Sequence, residues 1–349
     1  MFDNLNYLTN APDLNATQFA DLLIDAYSAL GELKGACYGL PNPQLLLSPA
    51  IMREALESSG VENIITTLAN VIQARLLPDA ERDVNDREVI RYSQAINVGV
   101  DRMKESYLGT NVIRTVHAVL VPSEPDIRTS GNCLRNALTG EVVYTPPSAN
   151  LIDGYMADLE KFVNESQMDK LLKTAIVHYQ FESIHPFGDG NGRTGRILII
   201  LCLINYGLLD LPTLFISEYI NNNKALYYDV FNAVRQRGDW PTFINYILRA
   251  ITEQAKKSTD TLLAIKELRR HVKWRVRDRL PNIYSSDLID TIFAQPEISP
   301  TKYAELLRCT RQTATSHLKQ LEEIGVMSHD QIGRNAVYTN VELMKLLTK

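Results

Sequence analysis

The sequence predicts a mainly α-helical fold, with one small β-hairpin flap in the core and a compact C-terminal winged-helix unit. Three observations support this prediction: apolar residues recur at three- and four-residue intervals over most of the 349 residues, strand-like alternation is rare, and the last quarter becomes basic. With 45% hydrophobic and 22% charged residues, the composition is that of a globular protein with a sizeable core.

Helical periodicity is clear in five segments, at 17–30, 63–77, 151–165, 168–184 and 239–254. Strand-like alternation is clearest in NALTGEVVYTPP at 136–147, where Thr139 and Gly140 predict a turn. Pro146 and Pro147 would end the second strand, because proline cannot donate to a β-ladder. This segment therefore predicts the single hairpin of the core.

The C-terminal part is basic, with 16 Lys and Arg residues against 11 Asp and Glu from residue 256 onward. It begins with a predicted linker helix over 256–283, which Pro281 would end. The rest, 284–349, predicts three helices and then a hairpin turning at Gly333.

This order of elements resembles a winged helix-turn-helix, with Ser299 and Thr310 as plausible N-caps of the second and third helices. Such a unit docks on DNA or on a protein, and its third helix would present a polar set: Arg311, Gln312, Thr315, His317 and Lys319.

Other features disfavour a secreted, membrane or metal-scaffold protein. The segment 1–18 lacks a signal-peptide pattern, so we expect a cytoplasmic protein. The apolar run at 197–209 is shorter than the roughly 18 residues of a membrane span, and so predicts a buried helix without a membrane partner. The cysteines lack CxxC spacing and predict neither a zinc site nor a disulfide framework: Cys37, Cys133, Cys202 and Cys309.

The most informative stretch is HPFGDGNGRTGR at 185–196, which collects residues of little use for a core. The run from Gly190 to Gly195 fits GxGxxG, but a dinucleotide site needs a strand before the glycines, and the preceding residues predict a helix. A Walker loop needs a lysine after the last glycine, and none follows. Both of these phosphate-binding loops are therefore disfavoured.

A third interpretation uses the polar residues together. A helix beginning near Arg193 would direct backbone N–H groups from Gly190, Asn191 and Gly192 at an anion. Arg193 and Arg196 would add two guanidinium groups for a polyphosphate. The stretch thus predicts a polyphosphate site.

Two further side chains of this stretch suit phosphate chemistry. Asp189 can hold a magnesium ion against the phosphates, since this cation takes oxygen ligands. His185 lies at the end of the preceding helix. The pKa of a histidine side chain suits it to take a proton from an attacking hydroxyl.

The stretch resembles the signature HxFx[DE]GNGRxxR of the Fic family at every defined position: His185, Phe187, Asp189, Gly190, Asn191, Gly192, Arg193 and Arg196. The similarity covers about 35–255. It implies an all-helical catalytic core at 111–255, preceded by a helical region at 1–110. It also implies transfer of AMP from ATP to a Ser, Thr or Tyr hydroxyl of a target protein or of the protein itself.

The resemblance also implies roles for these residues. His185 would be the general base, Asp189 would bind Mg²⁺, and Asn191 with the glycine N–H groups would stabilise the α-phosphate. The implied ATP-binding residues are Gly190, Asn191, Gly192, Arg193, Thr194, Gly195 and Arg196, with Tyr227 near the adenine. Val143 and Tyr144 would lie in a flap that aligns the target by strand addition.

Upstream, SSGVEN at 58–63 resembles the inhibitory motif [ST]xxxE[GN] of many Fic proteins, here placed on a helix at about 57–77. Without the neighbouring signature, the same residues would fit the first turn of an ordinary helix. The resemblance implies that Glu62, with Ser58 and Asn63, pairs with Arg196 and restrains ATP. In some relatives this glutamate orients a water that removes AMP, so a reverse activity stays open.

Two alternatives remain at this point. Relatives transfer other groups, although Arg196 favours a nucleoside triphosphate donor. A DNA-binding regulator whose core senses nucleotide would require the basic C-terminal unit to bind duplex DNA with a steep salt dependence. The target, the modified residue, the base preference and homodimer formation are not determined by the sequence.

Overall fold

The computed structural model describes residues 5–12, 14–38, 43–75, 77, 79–124, 126–135, 140–332 and 335–347, with backbone only at 43–50, 332 and 335. Five α-helices precede the hairpin: α1 (Ala20–Cys37), α2 (Pro43–Val61), α3 (Leu68–Ala74), α4 (Val84–Met103) and α5 (Thr110–Leu120). The hairpin pairs β1 (Leu134–Arg135) with β2 (Val142–Tyr144) in antiparallel orientation.

In the described part of the chain, six α-helices lie between the hairpin and the C-terminal unit: α6 (Ile152–Glu165), α7 (Lys170–Ile184), α8 (Asn191–Asn205), α9 (Ser217–Asn222), α10 (Lys224–Arg237) and α11 (Trp240–Arg279). The C-terminal unit contains α12 (Ser286–Ala294), β3 (Glu297–Ile298), α13 (Pro300–Leu306), α14 (Arg311–Glu323), β4 (Ser328–Ile332), β5 (Asn335–Thr339) and α15 (Val341–Leu347). The predicted mainly helical fold is confirmed.

The centre of the molecule is the packed pair α7 and α8, which are joined by the glycine-rich loop. Both helices are buried almost all round, as expected for helices without a polar face. The run at 197–203 is fully buried, which agrees with the expected buried helix. None of the described helices is long and apolar enough to cross a membrane.

Two predicted helix boundaries were wrong. The helix expected at 63–77 is shorter, because Asn63 adopts a left-handed conformation with φ 62° and Thr67 caps α3. The SSGVEN segment is therefore not on a helix at about 57–77, since its first four residues end α2 at Val61 and Glu62 follows that helix.

The boundary expected at 255 falls inside α11, which runs unbroken for 40 residues. Asp239 caps its start, Pro241 lies in its first turn, and it ends before Pro281 as predicted. The change to basic composition does not interrupt its backbone hydrogen bonds, so a separate linker helix does not exist.

The hairpin also differs from its predicted range. Its first strand begins at Leu134, before the expected segment, whereas the second strand lies where predicted. The expected turn residue Thr139 lies outside the described residues.

The C-terminal unit has the predicted order of three helices and a hairpin. Ser299 Oγ accepts from Lys302 N and Thr310 Oγ1 accepts from Thr313 N, so both predicted N-caps are present. The hairpin forms a sheet of order β3-β5-β4, and its predicted turn at Gly333 lies outside the described residues. This unit packs through α12 and α15 on α2, whose other neighbours include α4 and α9.

Candidate functional site

The histidine of the glycine-rich loop has the geometry of a neutral base. His185 ends α7 in a left-handed conformation, with φ 50° and ψ 59°. Its Nδ1 lies 3.3 Å from the carbonyl oxygen of Glu182, which can only accept, so Nδ1 carries the proton. Burial lowers the pKa of His185 to about 4, because a charged ring would lose its hydration. Nε2 is therefore left with its lone pair at neutral pH.

The loop is fixed by its own asparagine and by an aromatic stack. Asn191 accepts from the backbone N–H of Phe187 at 2.9 Å and donates to its carbonyl oxygen at 2.9 Å. The Phe187 ring is fully buried and stacks on His117, with 3.6 Å between ring centroids. Because both groups of its amide bond to the backbone of Phe187, Asn191 closes the loop.

The first turn of α8 lies where the sequence predicts an anion site. Gly190 caps this helix with φ 73°, and Thr194 Oγ1 donates to its carbonyl oxygen at 2.9 Å. The N–H groups of a first helical turn have no partner within the helix and carry the positive end of its dipole.

Two glycines of α8 lie under carboxylate groups. A Cβ on Gly192 would overlap Oε1 of Glu62, and a Cβ on Gly195 would overlap Oε1 of Glu182. Small residues at these two positions thus let two carboxylates approach the helix closely.

The second arginine of the signature is enclosed by the segment that resembles the inhibitory motif. Arg196 is 1% exposed and donates from Nε to Ser58 Oγ at 2.8 Å and from Nη2 to the Ser58 carbonyl oxygen at 2.9 Å. Its Nη2 also lies 2.9 Å from Oε1 of Glu62. Burial alone would lower the pKa of Arg196, but Glu62 and neighbouring groups raise it, so the guanidinium stays charged. The structure thus contains the expected pair. Asn63 follows Glu62 in the chain, and its Oδ1 accepts from Lys224 Nζ.

The first arginine is held by a residue that sequence reasoning missed. Arg193 is 3% exposed and lies between Glu88 of α4, at 2.6 Å, and Asp189, at 3.3 Å. Glu88 occurs on an ordinary amphipathic helix and matches no motif, so the sequence offered no signal for it.

The tyrosine expected near the adenine is mostly enclosed. Tyr227 is 4% exposed, and its hydroxyl lies 2.9 Å from Nε2 of His178, whose Nδ1 is 3.1 Å from the carbonyl oxygen of Gly195. These contacts connect α10 to α7 and α8. The adjacent Tyr228 is 43% exposed and was not predicted.

The two flap residues face opposite ways. Val143 is exposed, whereas Tyr144 is buried and its hydroxyl donates to the Ser183 carbonyl oxygen at 2.7 Å. The guanidinium of Arg235 covers the Tyr144 ring at 3.7 Å. Tyr144 therefore anchors the flap to the end of α7.

Two buried carboxyl groups complete the surroundings of Arg196, and neither was predicted. Glu54 accepts from the backbone N–H of Ser217 at 3.0 Å and from the hydroxyl of Tyr92 at 3.3 Å. Oε1 of Glu182 is buried without a hydrogen-bond partner in the described part of the chain. Burial raises the pKa of each group to about 7.

The polar face expected on the third helix of the C-terminal unit is partly present. On α14, Arg311, Gln312 and Lys319 are exposed, whereas Thr315 and His317 are half-buried. His317 Nδ1 lies 3.1 Å from the hydroxyl of Tyr303 on α13, so this ring is tied to the unit itself.

Three sequence profiles match the chain in succession. They are the Fic/DOC family N-terminal region at 20–101, the Fic/DOC family at 107–203, and the C-terminal domain of SoFic-like protein adenylyltransferases at 268–343.

Curated relatives agree with these matches. A probable protein adenylyltransferase of Aquifex aeolicus is 37% identical over 79 residues, which are 22% of this chain and 25% of that protein. A protein adenylyltransferase of Drosophila mojavensis is 25% identical over 232 residues, which are 64% of this chain and 43% of that protein. The chain thus spans less than half the length of these relatives.

Solved structures share the fold. A Fic family protein from Desulfovibrio desulfuricans has a TM-score of 0.57 at 20% identity and covers 91% of this chain and 95% of its own. A Fic domain protein from Bacteroides thetaiotaomicron has a TM-score of 0.54 at 18% identity, with coverage of 68% and 95%. Three consecutive profiles and a shared fold lead to one conclusion: the chain belongs to the Fic/DOC family.

Proposed function

We propose that this protein is a protein adenylyltransferase that moves AMP from ATP to a Ser, Thr or Tyr hydroxyl of a target protein or of itself, and that Glu62 restrains it. The observation that carries this proposal is the position of the Glu62 carboxylate, which lies over Gly192 in the first turn of α8 and binds Arg196. A carboxylate in that place occupies an anion site that suits a phosphate.

In the transfer step, the target hydroxyl oxygen attacks the α-phosphorus of ATP and pyrophosphate leaves. Nε2 of His185 takes the hydroxyl proton, and its low pKa keeps the ring neutral for this role. The N–H groups of the first turn of α8 stabilise negative charge on the phosphate that reacts. Arg193 and Arg196 bind the remaining phosphates.

The residues present fit a magnesium ion. The Asp189 side chain is 71% exposed, beside the arginine that would hold phosphate. The described residues contain no cluster of three or more His, Cys, Asp or Glu that could hold a metal alone. A single carboxylate that shares the ion with substrate phosphates and water is the usual arrangement for Mg²⁺. When bound, the ion would neutralise phosphate charge.

The restraint follows from competition for Arg196. Its guanidinium is engaged by Ser58 and Glu62, so a phosphate of ATP must displace Glu62 or bind without this arginine. Glu62 is 36% exposed in its side chain and can move, whereas Arg196 is enclosed. The same carboxylate could orient a water in the reverse reaction, which would remove AMP from a target.

The partners are proposed from two surfaces. Val143 on the flap is exposed and suits pairing with an extended segment of the target, which could belong to a second copy in a homodimer. The exposed Arg311, Gln312 and Lys319 on α14 suit docking of the C-terminal winged helix on DNA or on a protein. A DNA-binding regulator whose core senses nucleotide is the second candidate function, and these exposed side chains favour it.

The test uses ATP labelled at its α-phosphate, in the presence of magnesium. It compares the wild type, the Glu62→Gly variant, and a double variant that combines Glu62→Gly with His185→Ala. Labelling of the protein or of a lysate protein should appear with Glu62→Gly and disappear in the double variant, with mass spectrometry identifying AMP. If every variant binds ATP and none transfers AMP, ATP is not the donor, and other nucleotides must be screened.

A further inference from the structure

Glu88 reaches the site from α4, and the proposed reaction does not use it. Its Oε2 lies 2.6 Å from Nη1 of Arg193, while Nη2 of the same guanidinium lies 3.3 Å from Oδ2 of Asp189. The exposed fractions of the three side chains are 27% for Glu88, 3% for Arg193 and 71% for Asp189. A buried arginine is thus held between a half-buried carboxylate and an exposed one.

We propose that Glu88 is a positioning residue that keeps Asp189 available to the divalent cation of bound ATP, an inference that rests on the proposed function. A buried guanidinium is costly without an anionic partner, and Glu88 supplies that partner at the shorter of the two distances. Without it, Arg193 would turn to Asp189 alone. Two parallel hydrogen bonds to one carboxylate are the preferred geometry of arginine, and they would occupy both Asp189 oxygens.

The charge of this group supports the same role. Two carboxylates and one guanidinium leave one net negative charge, which attracts a cation to the exposed Asp189. A neutral residue at 88 would cancel that charge and weaken cation binding. It would not weaken binding of metal-free ATP, because the anionic nucleotide gains from the lost carboxylate. A neutral residue at 88 should therefore weaken cation binding without weakening the binding of metal-free ATP. A loss of folding would weaken both.

The experiment measures how strongly Mn²⁺, a substitute for Mg²⁺, tightens nucleotide binding. Calorimetry gives the affinity for an ATP analogue with an α,β-methylene bridge, once in EDTA and once with saturating Mn²⁺. The ratio of the two affinities is the coupling between metal and nucleotide on the protein. All variants are made in the Glu62→Gly chain, so that Glu62 does not compete.

Glu88→Gln is expected to reduce this coupling about tenfold and to leave metal-free affinity unchanged or tighter. Glu88→Asp retains the charge and should retain most of the coupling. Glu81→Gln, which removes a carboxylate from an exposed residue before α4, should behave like the parent. Glu88→Ala is a second neutral variant, with the same expected direction, and thermal unfolding verifies that each variant is folded.

Parent-level coupling in folded Glu88→Gln and Glu88→Ala would overturn the inference, and so would equal losses of affinity with and without metal. If Mn²⁺ does not tighten binding in the parent, the inference also fails. The parent could show the coupling between metal and nucleotide, and Glu88→Gln could lose it, while the parent transfers no AMP from ATP. That result would refute the proposed function and leave the role of Glu88 intact.

Discussion

Replacing Glu62 by glycine removes the carboxylate that lies over the first turn of α8 and pairs with Arg196 at 2.9 Å. The backbone at this position lies beyond the last residue of α2, so the substitution does not put a glycine inside a helix. Arg196 keeps both contacts with Ser58 and stays in place. The variant is therefore expected to open the anion site and to leave its walls intact.

The size of the gain in ATP binding follows from the hydrogen bond between Glu62 and Arg196, which ATP no longer has to displace in this variant. A hydrogen bond to a charged group contributes about 1.5–3 kcal/mol. Because each 1.4 kcal/mol is about a factor of ten, productive ATP binding should improve by about ten- to hundredfold. The Glu62 side chain is 36% exposed, and solvent screening favours the lower half of this range.

The assay is the initial rate of AMP incorporation from α-labelled ATP at a concentration below saturation. Glu62→Gln keeps the size of the side chain without its charge and should give a smaller activation than glycine. Glu57→Gln is the matched control, since this carboxylate of α2 accepts from Asn221 and not from the arginine. Equal rates for the wild type and Glu62→Gly, with nucleotide binding retained, would refute the competition argument.

Three further predictions follow from the site. His185→Ala in the Glu62→Gly chain should lower AMP transfer by about 10²–10⁴-fold without loss of ATP affinity, because only the base is removed; a small effect on rate would assign the proton to another group. Burial lowers the pKa of His185 to about 4, so the neutral base persists as pH falls through 6.5, and kcat/KM should show its acidic limb only near 4; a limb centred at 6.5 would contradict this. Asn191→Ala leaves a buried N–H and carbonyl of Phe187 unpaired and should cost about 1–3 kcal/mol in denaturant unfolding. Asn191→Asp keeps the acceptor but places a buried carboxylate oxygen against the carbonyl oxygen of Phe187, so it should cost at least as much, and a smaller cost than for Asn191→Ala would argue against this bonding pattern.

Local patterns explain the parts of the fold that could be predicted. The periodicity of 168–184 and the proline and glycines after it correctly located the end of α7, and they placed the start of α8 near Arg193, about two residues late, because caps and left-handed turns depend on neighbouring residues. The same kind of pattern misplaced the helix at 63–77. A hydrophobic period continues through Asn63, although asparagine is among the residues that most readily take a positive φ and end a helix.

In the candidate site, too, local sequence patterns located some residues and missed others. Glu62 and Arg196 were paired by motif resemblance, although 134 residues separate them, and the structure places them together. Glu88, 105 residues before Arg193, belongs to no motif and was missed. Tyr144 was placed correctly on the flap. The direction of its side chain depends on Ser183 of α7 and Arg235 of α10, which are distant from it in the sequence.

The sequence by itself determined the helical class, the glycine-rich loop with its histidine and arginines, and the family, because these depend on short-range spacing. Only the tertiary structure decided that both arginines are buried and that Arg193 is held by Glu88, a carboxylate from the distant helix α4. It also decided that Asn191 closes the loop and that α2 packs between the core and the C-terminal unit. The physical reason is that burial and charge pairing depend on which segments meet in space, and residues far apart in the chain carry no local sign of that meeting.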